Sequence, residues 1–86
     1  MYNLIEKYME RLTTTDVEGF ALKNNIHLSK EELAFTYEFI KKNWSGIIAN
    51  VDYLDINRYK DKYSPENFVK IEKLFKEYAI KFKNFL

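Results

Sequence analysis

The chain has one histidine, His27, and a hydroxyl two residues beyond it, Ser29. A nucleophilic pair requires an imidazole base within hydrogen-bond reach of the serine and a third group to orient that base. Closeness in sequence supplies neither, and Ser29 has a simpler use. With Glu32 three places on it forms a capping box at a helix start. His27 then reads as a surface residue of a connector. The carboxylates are no more eloquent. Glu31 and Glu32 are adjacent and point to different sides of a helix, whereas Asp52 and Asp55 share a face but need a cleft and shifted pKa values to act as acid and base. Both pairs read as capping or solubilising groups. The run Asp52-Tyr53-Leu54-Asp55-Ile56-Asn57 alternates oxygen ligands like the start of a calcium loop, yet the loop's glycine and closing glutamate do not occur at their offsets. Cysteine is absent, which removes disulfides, thiolate metal centres and cysteine nucleophiles. There is no glycine-rich phosphate loop and no nucleophile elbow. The sequence thus predicts a non-enzyme with no catalytic residue, no metal site and no cofactor.

The remaining chemistry is that of surfaces. Arg58, Tyr59, Lys60, Lys62 and Tyr63, with Tyr53 nearby, interleave cations and aromatic rings, a pattern that suits phosphate neutralisation and base stacking on nucleic acid. The same tyrosines serve equally well to fasten a short helix to a core while the cations stay in water. Asp55 and Asp61 dilute the field, and over the whole chain 14 Lys plus Arg stand against 13 Asp plus Glu, for a net charge of +1. That balance excludes a histone-like basic protein. Tyr37, Trp44, Tyr53, Tyr59, Tyr78, Phe82 and Phe85 are the candidate protein interface, a set of amphipathic rings that a small core need not bury entirely. A protein partner, a second copy in a homo-oligomer included, is therefore the primary expectation and nucleic acid the alternative.

These residues must be positioned by helices. At 86 residues with 47% apolar and 31% charged content, the chain has enough apolar surface for one domain and not for two. Seven Phe, seven Tyr and one Trp supply the large side chains that so small a core needs. Leu4, Ile5, Tyr8, Met9 and Leu12 form a helical stripe over residues 2–12. Thr15 and Glu18 predict a capping box, with a second helix starting near Asp16 and packing through Val17, Phe20 and Ala21. Gly19 in that helix allows a close helix contact or weakens the interior. An asparagine in the connector 23–28 can take a left-handed turn, after which the third helix runs over 30–43. It is apolar on more than one face, as befits a helix with neighbours all round. Ser45 and Gly46 predict a break, followed by a tucked-in connector over 47–51, either one helical turn or a short extended piece. A weaker helix is expected over 52–62. Ser64 as cap, Pro65 at the first helical position and Glu66 open the last helix, expected through Lys83. Its stripe of Phe68, Ile71, Phe75, Tyr78, Phe82 and Phe85 repeats at spacings of 3, 4, 3, 4 and 3, with acidic-to-basic pairs at Glu66/Lys70, Glu72/Lys76 and Glu77/Lys81 on another face.

The order of these motifs carries a resemblance. Leu12-Thr13 before a short helix, the run from Lys23 to Glu32, and Ser64-Pro65-Glu66 before Val69 to Tyr78 resemble a small family of short helical proteins, of unassigned function, from Gram-positive, spore-forming bacilli and their relatives. Ser64 stands where that family's pattern favours glycine. The resemblance implies no catalytic activity and no cofactor. The combined expectation is a single all-α domain over residues 1–86, a compact orthogonal or bundle-like array of four or five short helices. With neither a basic leader followed by an apolar run nor about 18 consecutive apolar residues, it is expected to be cytoplasmic and to have no membrane span.

Overall fold

Helix boundaries in this chain are set by caps whose flanking apolar residues reach the core. A computed structural model describes residues 2–49 and 55–85. Among them are α1 (Tyr2–Arg11), α2 (Thr14–Lys23), α3 (Lys30–Ala49), a 3₁₀ segment (Ile56–Lys62) and α4 (Pro65–Phe85), with no strand among the described residues. The all-α expectation holds.

Helix α2 starts two residues earlier than expected. Thr13, not Thr15, is the cap: its hydroxyl accepts the Asp16 N–H at 3.2 Å, and the Asp16 carboxylate accepts the Thr13 N–H at 3.0 Å. The reason lies beside the cap. With Thr13 in that place, Leu12 precedes the helix and Val17 ends its first turn, and both are buried in one apolar cluster as a hydrophobic staple. The same arrangement opens α4, where Ser64 accepts the Asn67 N–H at 3.2 Å and Tyr63 and Phe68 are buried together. Helix α2 ends on Asn25 in the left-handed region (φ 60°), with the Asn25 N–H bonded to the Leu22 carbonyl at 3.1 Å and the Ile26 N–H to the Ala21 carbonyl at 2.8 Å. That is the pattern of a Schellman turn, and its apolar pair, Ile26 against Ala21, is in the core.

Two further expectations are corrected. Ser45 and Gly46 do not break α3, which continues to Ala49. A helical glycine costs only about 1 kcal/mol relative to alanine, and Ile40 and Trp44 just before it are already packed on the core. Residues 47–49 are therefore helical. The rest of the predicted connector, and Asp52, Tyr53 and Leu54 of the predicted fourth helix, lie outside the described residues. The remainder of that helix is a 3₁₀ segment with a kink at Tyr59 (φ −112°, ψ 16°). Three residues per turn bring Ile56 and Tyr59 to one side, and both join the core; at 3.6 per turn that alignment is weaker.

Helix α3 is the hub, touching every other element. One cluster (Ala21, Ile26, Ile56, Tyr63, Phe68, Ile71) recruits Phe35 from it; the other (Ile5, Met9, Leu12, Val17) recruits Leu33, Tyr37, Ile40 and Trp44. Phe39, also buried, stacks on Phe75 of α4 with ring centroids 5.5 Å apart. The radius of gyration, 12.3 Å, is close to the roughly 12 Å expected of a compact chain this long, so the clusters share one body. No helix is long and apolar enough to cross a membrane among the described residues.

Candidate functional site

Between α1, α2, α3 and α4 lies an open apolar cleft with a cavity of about 140 Å³. Helix α1 contributes Tyr8 and Met9, α2 contributes Phe20 and Ala21, and α3 contributes Phe39, Ile40 and Trp44. From α4 come Leu74, Phe75, Tyr78 and Ala79. Alanines at 21 and 79 end at Cβ where their neighbours are rings, which leaves space between the walls. The mouth is marked by Tyr8, 47% exposed, and Phe20, 37% exposed. Phe20 stands edge-on to Tyr78 at 5.2 Å, and the ammonium of Lys81, expected to face Glu77, lies 4.8 Å from the Tyr78 ring. Thr36, the buried polar side chain among the described residues of the walls, has its bonds made.

Helix α1 is held over the cleft in two ways. Ile5 and Met9 bury its inner face with Leu12 just past its end, and Lys41 of α3 donates to the Met9 and Glu10 carbonyls at 2.7 and 3.3 Å. A cation at the carbonyl end of a helix satisfies free acceptors and complements the dipole. Leu4 and Tyr8 of the expected stripe remain exposed.

A polar junction supports the other side of the array. Glu32, 7% exposed, accepts from the Ser29 N–H at 2.8 Å, the Ser64 N–H at 2.7 Å and the Asn67 side-chain amide at 2.9 Å. It thus completes its own capping box and clamps the start of α4 to the start of α3. Burial by itself raises the Glu32 pKa, but the backbone N–H groups of Ser29 and Ser64, the Asn67 amide and the Ser29 hydroxyl outweigh it and hold the carboxyl below its ordinary value. One turn on, the Thr36 hydroxyl donates to the Glu32 carbonyl at 2.7 Å and also meets the Tyr63 hydroxyl. A threonine hydroxyl has one proton, so Tyr63 is the donor to Thr36. Burial raises the Tyr63 pKa to about 12, and the nearby Glu32 charge acts in the same direction.

The expected site residues are dispersed by this arrangement. Of the nucleic-acid candidates, Tyr63 is 7% exposed and faces Thr36, and Tyr59 packs at 4.9 Å on Phe39 and 5.5 Å on Phe35. Lys62 lies 5.8 Å from the Phe35 ring, while Arg58 and Lys60 are exposed. Neither ring offers the open stacking face anticipated, because the 3₁₀ turn needs both to cover the core. Of the interface candidates, Tyr37 and Trp44 are half-buried on the second cluster, and Tyr78 is a cleft wall. Tyr53 lies outside the described residues, as do the side chains of Phe82 and Phe85. His27 is exposed and Ser29 is spent on capping, since its hydroxyl accepts the Glu32 N–H at 3.1 Å. Among the described residues no three His, Asp or Glu side chains gather as metal ligands.

The sequence reading did not pick out Tyr8 and Phe20 as a rim, nor Glu32 as a link to α4. The only sequence sign of the cleft is Ala79 beside the rings of the α4 stripe, a small residue where the 3-4 pattern has just placed Tyr78. Comparison of the chain with protein-family profiles, with curated proteins and with solved structures finds no match.

Proposed function

We propose that this chain is a non-catalytic, cytoplasmic protein-interaction domain that docks a protein partner through the apolar cleft between α1, α2, α3 and α4. The observation that carries this reading is an open cleft with apolar walls on four helices and two exposed rings, Tyr8 and Phe20, at its mouth. Aromatic side chains around a concave apolar surface are the usual anchors of protein association. The likeness to the short helical proteins of spore-forming bacilli belongs to the same proposal and adds no activity to it. Nucleic acid is the less favoured reading, since Tyr59 and Tyr63 pack inward and leave Arg58 and Lys60 without a stacking platform.

The test is a crosslinked pull-down from the native cell, with and without nuclease, run beside sedimentation across a concentration series. Tyr8→Ser with Phe20→Ser removes the rim at exposed positions where the fold tolerates change. Capture of a specific protein, or self-association, that survives nuclease and is lost in the rim variant supports the proposal. Capture or self-association indifferent to the rim variant overturns it, as does a protein that stays monomeric and recovers no partner. Nuclease-sensitive capture that follows Arg58→Ala with Lys60→Ala decides for nucleic acid.

A further inference from the structure

The floor of the cleft is more selective than its rim. The cavity of about 140 Å³ is lined by the rim rings Tyr8 and Phe20 and, among others, by Ala79, Phe75, Phe39 and Trp44. An apolar cavity near 150 Å³ stays dry and accepts a single benzene-sized guest, while drug-sized pockets begin at about 300 Å³. The space inside the cavity therefore seats one ring. Wall chemistry limits the guest further. Among the described residues lining the cavity none is charged, the surface they turn to it is almost wholly apolar although Tyr8, Tyr78 and Trp44 carry polar edges, and the Thr36 hydroxyl donates to the Glu32 carbonyl and accepts from Tyr63. A guest that brings a charge or a strong hydrogen-bonding group would lose its hydration with no partner in return. The walls also present ring faces: Phe39 and Phe75 are stacked within 7° of parallel, and Tyr78 meets Phe20 at a right angle. A further ring placed among them finds both offset and edge-on contacts.

We infer that the cleft floor is a ligand site for a small, neutral, single-ring aromatic molecule, binding as a free compound and independently of any protein at the rim. The inference rests on the cleft of the proposed function being open and shares Phe20 with it; the tests part at Ala79, which is varied for the ring, and at the rim, which is varied for the partner. Trp44 is the only tryptophan and lines the cavity, so the site carries its own reporter.

The experiment is titration of the purified chain with toluene, followed by Trp44 fluorescence and by the thermal midpoint, with benzoate as the charged ring of similar size. Toluene is expected to saturate at concentrations on the order of 1 mM or below and to raise the midpoint by several degrees at ten times its Kd. Benzoate is expected to bind at least tenfold more weakly. Ala79→Leu fills the cavity and is expected to weaken toluene at least tenfold. If that variant does not fold, Ala79→Val makes the smaller insertion and is expected to weaken it severalfold. No saturable toluene signal, equal binding of benzoate, or binding indifferent to both Ala79 variants would overturn the inference. Toluene failure alongside partner capture that depends on Tyr8 and Phe20 would sink this inference and leave the protein-docking reading standing. Toluene binding in a protein that captures no partner would do the reverse.

Discussion

At residue scale the most informative side chain is Tyr63, which sequence alone offered as a base-stacking group and which the fold uses as a buried donor. Its proton goes to Thr36, and Thr36 passes its own to the Glu32 carbonyl. The chain of donors has a direction, and the direction predicts unequal losses. Thr36→Val removes the acceptor and strands a buried phenol, at about 1–3 kcal/mol; Tyr63→Phe leaves the Thr36 donor bond intact and costs about 0.5–1.5 kcal/mol. The double variant is expected to be less destabilised than the two single losses added together, because no polar group is then left unpaired. Urea midpoints of the four proteins check this. Additive losses would contradict the Thr36–Tyr63 bond, and a loss in Tyr63→Phe as large as that in Thr36→Val would contradict the donor assignment. The role of Tyr63 was only half legible. Its type and its position before Ser64 are what a hydrophobic staple needs, but its hydroxyl partner sits 27 residues away.

At the scale of elements, caps decide boundaries and one carboxylate joins two helices. Glu32 has a folded pKa below its ordinary value of 4.5, so the folded state binds its proton less readily than the unfolded chain does. Its contribution is fully present above about pH 4.5 and is lost as the pH falls through the lower folded value. Denaturant midpoints measured from pH 7 to pH 3 are expected to fall, and Glu32→Gln is expected to flatten that slope while lowering stability at pH 7. An unchanged slope in the variant would assign the acid sensitivity elsewhere. Gly19 and Gly46 give a second prediction. Both are within helices, neither has a positive φ, and among the described residues a Cβ at either would meet nothing within 4 Å. The close helix contact that Gly19 left open is therefore absent. Gly19→Ala and Gly46→Ala are each expected to stabilise the fold by about 0.5–1 kcal/mol, read as a rise of the thermal midpoint by a few degrees. A fall at either position would indicate that the glycine meets a partner.

At the scale of the molecule, two apolar clusters share α3, and that sharing predicts one unfolding transition. Ile5→Ala in one cluster and Ile71→Ala in the other each remove a buried branched side chain and are expected to cost about 2–5 kcal/mol. Trp44 fluorescence reports on the cluster that contains Ile5 and far-ultraviolet dichroism on all the helices. The two signals are expected to move together in both variants, whereas separate midpoints would mean that the clusters unfold independently. The sequence by itself determined the helical class, the Ser29–Glu32 and Ser64 caps, the wide apolar face of α3 and the lack of any compact catalytic motif. These follow from interactions within about one helical turn, which spacing encodes directly. The tertiary structure alone decided the cap at Thr13 over Thr15, the passage of α3 through Gly46, the 3₁₀ turn at Tyr59 and the cleft with Tyr8 and Phe20 at its mouth. Each turns on which apolar residue finds cover from a distant helix. Pattern ranks residues by their wish to be buried, and only the assembled helices determine which of them go without.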